Sequence, residues 1–159
     1  INENGTATVS GTITDPGVLD SFTVVIDWGE GTPVSYSYLV GATSFSEDHQ
    51  YLDDNGCGSP IAIYAVGVTV TDKDGGIGTA STTVTVNNVD PTATVTGTTI
   101  DENGTATVTG TFSDVGTLDT HALVIDWGGS EGTSHDYGSG NLQRVAPVPG
   151  RREQPRRRR

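Results

Sequence analysis

The stretch INENGTATV at positions 1–9 returns as IDENGTATV at positions 100–108, and the similarity continues to VIDWG at 25–29 and 124–128. Of the 29 positions aligned in this way, 19 carry the same residue in both copies. A match of this length at one fixed spacing is typical of a tandem repeat of a single supersecondary unit. The sequence therefore predicts two copies of the same fold, one after the other.

Apolar and polar residues alternate along several segments of the first copy. Phe22, Val24 and Ile26 are two residues apart, and the same period holds within 64–70 and 80–86. A period of two places the apolar side chains on one face of a β-strand. Gly, Asp, Asn and Pro lie between these segments, where turns require such residues. The pattern predicts an all-β fold of β-sandwich repeats in tandem.

The phase of the repeat predicts that both copies are incomplete. Residues 92–97 have the pattern of a first strand for the second copy, and the first copy has no counterpart. We expect residues 1–90 to form a repeat that lacks its first strand, and residues 91–128 to form the first half of a second repeat. Residues 129–159 are rich in Gly, Pro and Arg, which predicts an irregular tail, either disordered or an artefact of a shifted reading frame. A polyanion-binding tail is the functional alternative.

Charge is distributed unevenly along the chain. Seven of the eight Lys and Arg residues lie from Arg144 onward, and the eighth is Lys73. One basic residue against 19 acidic ones gives residues 1–143 a formal charge of −18. Such a surface repels phosphate backbones and anionic lipids, so we expect no nucleic-acid binding. No apolar run approaches the roughly 20 residues that cross a bilayer, so we also expect no membrane insertion.

Four motifs occur in order along residues 26–76 of the first copy. They are IDWGEGT at 26–32, FSEDHQY at 45–51, YAVGVTVTD at 64–72 and the hairpin DKDGG at 72–76. Together they resemble the polycystic-kidney-disease (PKD) family of repeats. The resemblance covers residues 1–90 directly and 91–128 through the internal repeat, whereas residues 53–60, which include the single cysteine, depart from the family pattern as an insertion.

The resemblance implies immunoglobulin-like β-sandwiches in extracellular or cell-surface proteins, often bacterial, where such repeats act as stalks, spacers or adhesive modules. It implies neighbouring repeats of the same parent chain as partners, with a surface protein or a polysaccharide as further contacts. The alternative is an accessory carbohydrate- or protein-binding domain of a secreted hydrolase. No sequence motif supplies His49 with a nucleophile and an orienting acid, so we expect no enzyme activity.

Conspicuous side chains near the turns suggest structural roles. Trp28 is in phase with the apolar face of its strand, and Trp127 is its counterpart, so we expect both in the core rather than on a carbohydrate-binding surface. Asp27 precedes a glycine turn, where a carboxylate accepts hydrogen bonds from turn N–H groups. Asn4-Gly5-Thr6 and Asn103-Gly104-Thr105 satisfy the N-glycosylation pattern, but Asn-Gly before a strand favours a tight turn.

The histidines are also assigned structural positions. His49 and Tyr51 are two residues apart, so they face the same way on a strand and are expected to be packing or hydrogen-bonding partners. His121 and His135 are isolated in the sequence, and we expect both at the surface.

Calcium is the sharpest hypothesis for a bound ion. Asp72 and Asp74 offer hard oxygen ligands beside glycines that let backbone carbonyls approach a cation. An EF-hand loop would require Glu at its twelfth position, where this chain has Thr83, so that motif is excluded. We expect instead a Ca²⁺ ion between the repeats, held by Asp72, Asp74, Asp90 and Glu102. The alternative is that these acids only solvate loops and cap turns.

Overall fold

The computed structural model describes residues 1–54 and 59–127 in full, and the backbone of two further strands. All helical or extended structure in this part of the chain is β-strand, which confirms the predicted all-β class. Within the described residues, no helix has the length and apolar character needed to span a bilayer. The described strands are β1 (Gly5–Thr12), β2 (Phe22–Asp27), β3 (Val34–Tyr38), β4 (Ser44–Tyr51), β5 (Ile61–Asp72), β6 (Ile77–Asn87), β7 (Thr92–Thr96), β8 (Thr105–Ser113), β9 (His121–Ile125), β10 (Thr133–Tyr137) and β11 (Asn141–Pro147).

The strands belong to two compact units. The first comprises Ile1–Val89 with Val115–Asp119, and the second comprises Asp90–Asp114 with the described residues from Thr120 onward. In the first unit, β3, β2, β5 and β6 form one antiparallel sheet in that order, and β1 pairs with β4 in another. In the second unit, β8 lies between β7 and β11, and β9 pairs with β10.

Strands β10 and β11 lie inside residues 129–159, for which the composition predicts an irregular tail. Their backbones pair antiparallel with β9 and β8, so the sheets of the second unit extend into this range. The other residues of the predicted tail, including the Arg-rich end, lie outside the described residues.

The core of the first unit lies where its two sheets meet. Along β2, buried Phe22, Val24 and Ile26 alternate with residues that are exposed or half-buried, as the period of two predicts. Burying such a side chain contributes about 1.5–3 kcal/mol to the free energy of unfolding. One cluster joins residues of both sheets, an arrangement consistent with a β-sandwich. Its buried members are Val9, Val24, Ile26, Trp28, Phe45, Val66 and Val68.

A second cluster packs beside the first. Tyr51 at the end of β4 is fully buried and donates a hydrogen bond of 2.8 Å from its hydroxyl to the carbonyl oxygen of Trp28. Trp28 itself is 1% exposed, which confirms its predicted place in the core. Trp127, its counterpart in the second unit, is only half-buried. The other buried members of this cluster are Ala7, Ala62, Tyr64 and Val86.

Strand β3 lacks the alternating aliphatic residues from which the sequence predicts the other strands of its sheet. It reads VSYSY and pairs with β2 alone, with Tyr36 and Tyr38 half-buried and the serines exposed. A strand of alternating serine and tyrosine lacks the aliphatic signal of β2 and β5. Its backbone is nevertheless specified, because the N–H and C=O groups along that edge of β2 are satisfied by pairing with β3.

The tight turns predicted at the two Asn-Gly pairs share a left-handed asparagine. Asn4 has φ of 57° and Asn103 has φ of 65°, and the glycine after each donates its N–H to a carbonyl two residues before the asparagine. Asparagine tolerates this region because its short polar side chain can bond locally. The tight-turn interpretation of both Asn-Gly pairs is therefore confirmed.

The turn that follows β2 depends on Gly29. Its N–H donates to Oδ1 of Asp27 over 3.0 Å, which confirms the predicted cap. Gly29 has φ of 81°, and a Cβ at this position would lie 2.8 Å from the carbonyl oxygen of Ala65. Gly31 has a similar φ of 67°, but a Cβ there would meet no atom within 4 Å. A substitution at Gly31 therefore introduces backbone strain alone, whereas one at Gly29 introduces both backbone strain and a steric clash.

We predict that Gly29→Ala destabilises the chain more than Gly31→Ala. Both substitutions place alanine in the left-handed region, which costs about 1–2 kcal/mol. Only Gly29→Ala also forces a methyl group against the β5 backbone, which adds about 1–3 kcal/mol. Urea unfolding followed by tryptophan fluorescence measures both values, and equal losses of unfolding free energy would contradict the close approach at Ala65.

Candidate metal centre

Asp72, the first of the predicted ligands, caps the β5–β6 turn. Its Oδ1 accepts hydrogen bonds from the backbone N–H groups of Asp74 and Gly76, both at 2.8 Å. These bonds favour the ionised carboxylate, the one from Gly76 most strongly, and they hold the pKa of Asp72 below its usual value. Asp72 therefore has a structural role in the hairpin.

Asp72 also belongs to a group of three carboxylates that lies beside the side chain of Lys73. One oxygen from each of Asp15, Asp20 and Asp72 lies within 4.8 Å of the others. Lys73 Nζ lies 2.7 Å from Oδ1 of Asp20 and also contacts the carboxylate of Asp74. The hydrogen bonds to Asp20 and Asp74 raise the pKa of the Lys73 ammonium. A positive charge supplied by the chain thus already compensates part of this group.

The calcium site predicted from the sequence takes its four ligands from both units, and it stays a prediction. Asp72 and Asp74 belong to the first unit, whereas Asp90 and Glu102 belong to the second. Asp90 and Glu102 are exposed, and the acidic groups found in the described part of the chain include neither of them, nor Asp74.

A second acidic group lies in the first unit and was not predicted from the sequence. One oxygen from each of Glu3, Asp53, Asp54 and Asp119 lies within 4.8 Å of the others. The β1–β4 pairing places Gly5 opposite Tyr51. Residues just before β1 therefore lie beside residues just after β4. The loop Val115–Asp119 supplies the fourth carboxylate.

Two carboxylates of this group are almost completely removed from solvent. Glu3 is 1% exposed and Asp54 is 6% exposed. Oε1 of Glu3 accepts a hydrogen bond of 2.6 Å from the backbone N–H of Val89, which ties the start of the first unit to its end. Among the described residues, Oδ2 of Asp54 is buried and has no hydrogen-bond partner. A buried carboxylate oxygen without a partner costs free energy unless a cation or a donor compensates it.

The chain offers this group no lysine or arginine among its described side chains. Lys73 is the only such residue before Arg144, and it pairs with Asp20 and Asp74. Four converging carboxylate oxygens are the kind of donor that Ca²⁺ prefers, because Ca²⁺ takes six to eight hard oxygen ligands in a flexible arrangement. We call residues Glu3, Asp53, Asp54 and Asp119 the Glu3 cluster.

The internal repeat contained a signal that could have indicated this cluster. Glu3 is the counterpart of Glu102, and Asp119 is the counterpart of Asp20, because each pair is 99 positions apart. The sequence analysis therefore named Glu102, which occupies in the second copy the position that Glu3 occupies in the first. Asp53 and Asp54 lie at the start of the 53–60 insertion, and the β1–β4 register brings them to Glu3.

His49 lies in a stack of side chains beside Trp28, which confirms its predicted structural role. Its ring stacks on Trp28 with centroids 5.0 Å apart and meets the edge of Tyr51 at 4.8 Å. Nε2 of His49 lies 2.7 Å from Oε1 of Glu30. Burial raises the pKa of Tyr51 to about 12, with a further contribution from the nearby charge of Glu30. The stack therefore joins β4 to the turn after β2.

The prediction that His121 lies at the surface was wrong. Its side chain is 12% exposed, its Nε2 lies 2.8 Å from Oδ2 of Asp114, and its ring packs on Phe112 at 5.0 Å. Pairing with an acid seven residues earlier in the chain makes this burial tolerable. The side chain of His135 lies outside the described residues.

The comparisons with known proteins identify no family for this chain. A scan against protein-family models finds no matching family, and a search of curated proteins finds no significant match.

We predict that Tyr51 makes the unfolding free energy fall at alkaline pH. Because its pKa is raised from 10.0 to about 12 in the folded chain, the unfolded state ionises first. The contribution is fully present below pH 10 and is lost as pH rises toward about 12. Urea unfolding at several pH values measures this slope.

Tyr51→Phe should flatten that slope and should cost about 1–3 kcal/mol at pH 7, because the buried carbonyl of Trp28 loses its donor. Tyr36→Phe, on the half-buried edge strand β3, is the control and should retain the slope. Tyr51→Phe with an unchanged slope would contradict the assignment.

Proposed function

We propose that this chain is a calcium-stabilised structural or adhesion repeat module of an extracellular or cell-surface protein, with no catalytic role. The observation that carries the proposal is the Glu3 cluster, in which four carboxylate oxygens converge and the buried Oδ2 of Asp54 meets no hydrogen-bond donor among the described residues. In the proposed site, Ca²⁺ is held by oxygens of Glu3, Asp53, Asp54 and Asp119. Bound in this way, the ion stiffens the module.

The repeated geometry supports a module that acts in series. The same left-handed asparagine and the same glycine turn occur at Asn4 and at Asn103. A chain that builds one unit at a fixed period is typical of arrays in which each repeat contacts its neighbours. We assign the fold to PKD-type, immunoglobulin-like β-sandwiches on the four motifs between residues 26 and 76. The partners proposed on this basis are neighbouring repeats, and a surface protein or polysaccharide.

The position of the cluster explains how an ion would stiffen the first unit. Glu3 precedes β1, Asp53 and Asp54 follow β4, and Val89, which bonds to Glu3, follows β6. A cation bound there links the beginning of the unit to the end of β4 and, through Glu3, to the end of β6. Segments at the ends of a unit open most readily, so a link between them raises the free energy of local opening.

We predict that calcium raises the unfolding temperature of the chain. Extracellular calcium sites have dissociation constants of about 10⁻⁴–10⁻³ M, so 10 mM calcium stabilises by about 1.4–2.7 kcal/mol. For a unit of this size that corresponds to a rise of about 5–15 °C. Circular dichroism during heating, with calcium or with a chelator, measures the shift.

Charge-neutralising variants locate the ion. Asp54→Asn with Glu3→Gln should abolish the calcium shift and should raise the unfolding temperature in chelator, because two buried charges are removed while their shapes are kept. The matched control is Asp90→Asn with Glu102→Gln, which neutralises two exposed carboxylates and should retain the shift. Loss of the shift in the control alone would favour the ligands predicted from the sequence, and no shift in the unmodified chain would remove the calcium proposal.

A further inference from the structure

A groove of about 700 Å³ runs along the first unit between the edges of β1 and β6. One wall is the continuous run of residues 9–16, and the other is the run 76–82. Its floor is formed by Phe22, Phe45, Val68 and Val70, which are apolar. Continuous runs of backbone on both walls, with apolar side chains below, give the groove the form of a channel for an extended strand.

Both walls are strand edges that lack a neighbour in the described residues. β1 pairs with β4 alone, and β6 pairs with β5 alone. The far end of β6 is covered, because Asn87 N–H donates to the carbonyl of Ile1 and Asn87 accepts from Glu3 N–H. The stretch 77–82 is not covered in this way. An edge of this kind is a template for a further strand.

The second unit shows how the same edge is filled. There β7 lies antiparallel on β8, the counterpart of β1, with Thr94 opposite Thr111. Three pairs of hydroxyl groups bridge the two strands at 2.9–3.0 Å. The pairs are Thr92 with Ser113, Thr94 with Thr111, and Thr96 with Thr109.

The first unit presents the same hydroxyl groups on β1 and directly after it. The residues 99 positions before Thr109, Thr111 and Ser113 are Ser10, Thr12 and Thr14, and all three are exposed. Cross-strand pairs of Thr and Ser stabilise a sheet by about 0.2–1 kcal/mol each relative to alanine. The edge therefore carries both the backbone template and the side-chain partners for a strand like β7.

The alternation of β7 also suits the groove. Thr92, Thr94 and Thr96 bond along one face of the strand, so Ala93 and Val95 lie on the other. In the register of β7 on β8, Ala93 and Val95 would stand opposite Ile13 and Gly11, on the same face of β1 as buried Val9. Small apolar side chains would then cover the floor of the groove.

We propose that this groove binds an extended strand in which threonine alternates with small apolar residues, of the type Thr92–Thr96. The strand runs antiparallel to β1 with its central threonine opposite Thr12. Backbone pairing supplies affinity, and the hydroxyl pairs with the apolar floor supply register, as in other cases of strand addition. The site does not involve the Glu3 cluster, so it stands or falls independently of calcium binding.

The test uses the full chain and a fluorescent synthetic peptide of residues 90–98, with sequence DPTATVTGT. We expect a saturable rise in fluorescence anisotropy, and a peptide with proline in place of Thr94 should bind at least about tenfold more weakly, because proline cannot donate to a ladder and clashes in a strand. Equal binding of both peptides, or no binding of either, would overturn the proposal.

Variants of the groove wall localise the binding. Val84 is half-buried and Val86 is buried, so Thr82 faces the same side, whereas Thr83 faces the opposite side. Thr82→Trp fills the groove and should weaken peptide binding about tenfold or more, and Thr83→Trp should not. Amide NMR shifts should map to residues 10–14 and 77–82. Shifts confined to β3, the other free edge of that sheet, would show nonspecific edge pairing and would refute the site.

A second copy of the chain is an alternative occupant that the same experiment recognises. Sedimentation of the chain alone reports whether it associates. A dimer that the peptide converts to monomer would place the partner's strand in this groove and support the proposal. A dimer that forms equally well with Thr82→Trp and excludes the peptide would oppose it.

Discussion

The hydrogen bond from the Tyr51 hydroxyl to the Trp28 carbonyl joins the two sheets of the first unit at their most buried point. Tyr51 ends β4 in the two-stranded sheet, and Trp28 follows β2 in the four-stranded sheet. This bond fixes where β4 ends relative to β2, and the pairing of β4 with β1 then determines where Glu3 lies. The core, the His49 stack and the acidic cluster all depend on this alignment of β4 with β2.

The local elements of the fold could be predicted because their signal is local. A period of two in aliphatic residues indicated β2, β5 and β6, and Asn-Gly and Asp-Trp-Gly indicated the turns around them. Strand β3 could not be predicted, since its inward residues are tyrosines and its pairing is imposed by β2. The order of strands in each sheet also required the structure, because β1 pairs with β4 across two intervening strands.

The calcium site predicted from the sequence and the acidic group found in the structure use different residues. An acidic body with one lysine indicated a cation, and Glu102 was named because it belongs to the second copy, beyond the linker that includes Asp90. The structure brings the counterpart of Glu102, Glu3, to Asp53 and Asp54. Glu3 and Asp53 are 50 positions apart in the sequence and meet only because of the β1–β4 register. Whether a carboxylate needs a cation or a hydrogen-bond donor depends on its burial. Neither the register nor the burial can be obtained from spacing along the chain, whereas the carboxylate of Asp72 accepts hydrogen bonds from its own hairpin, as a turn acid does.

The hairpin between β5 and β6 also determines where a protease specific for basic residues could cut residues 1–143. Lys73 stands at this exposed turn as the one lysine or arginine of residues 1–143. A protease specific for basic residues therefore has a single target bond in that whole region. Cleavage there would separate the two longest strands into different polypeptides that remain paired along eleven opposed positions. Lys73 also pairs with Asp20, so the one residue of 1–143 that such a protease could recognise takes part in an ion pair.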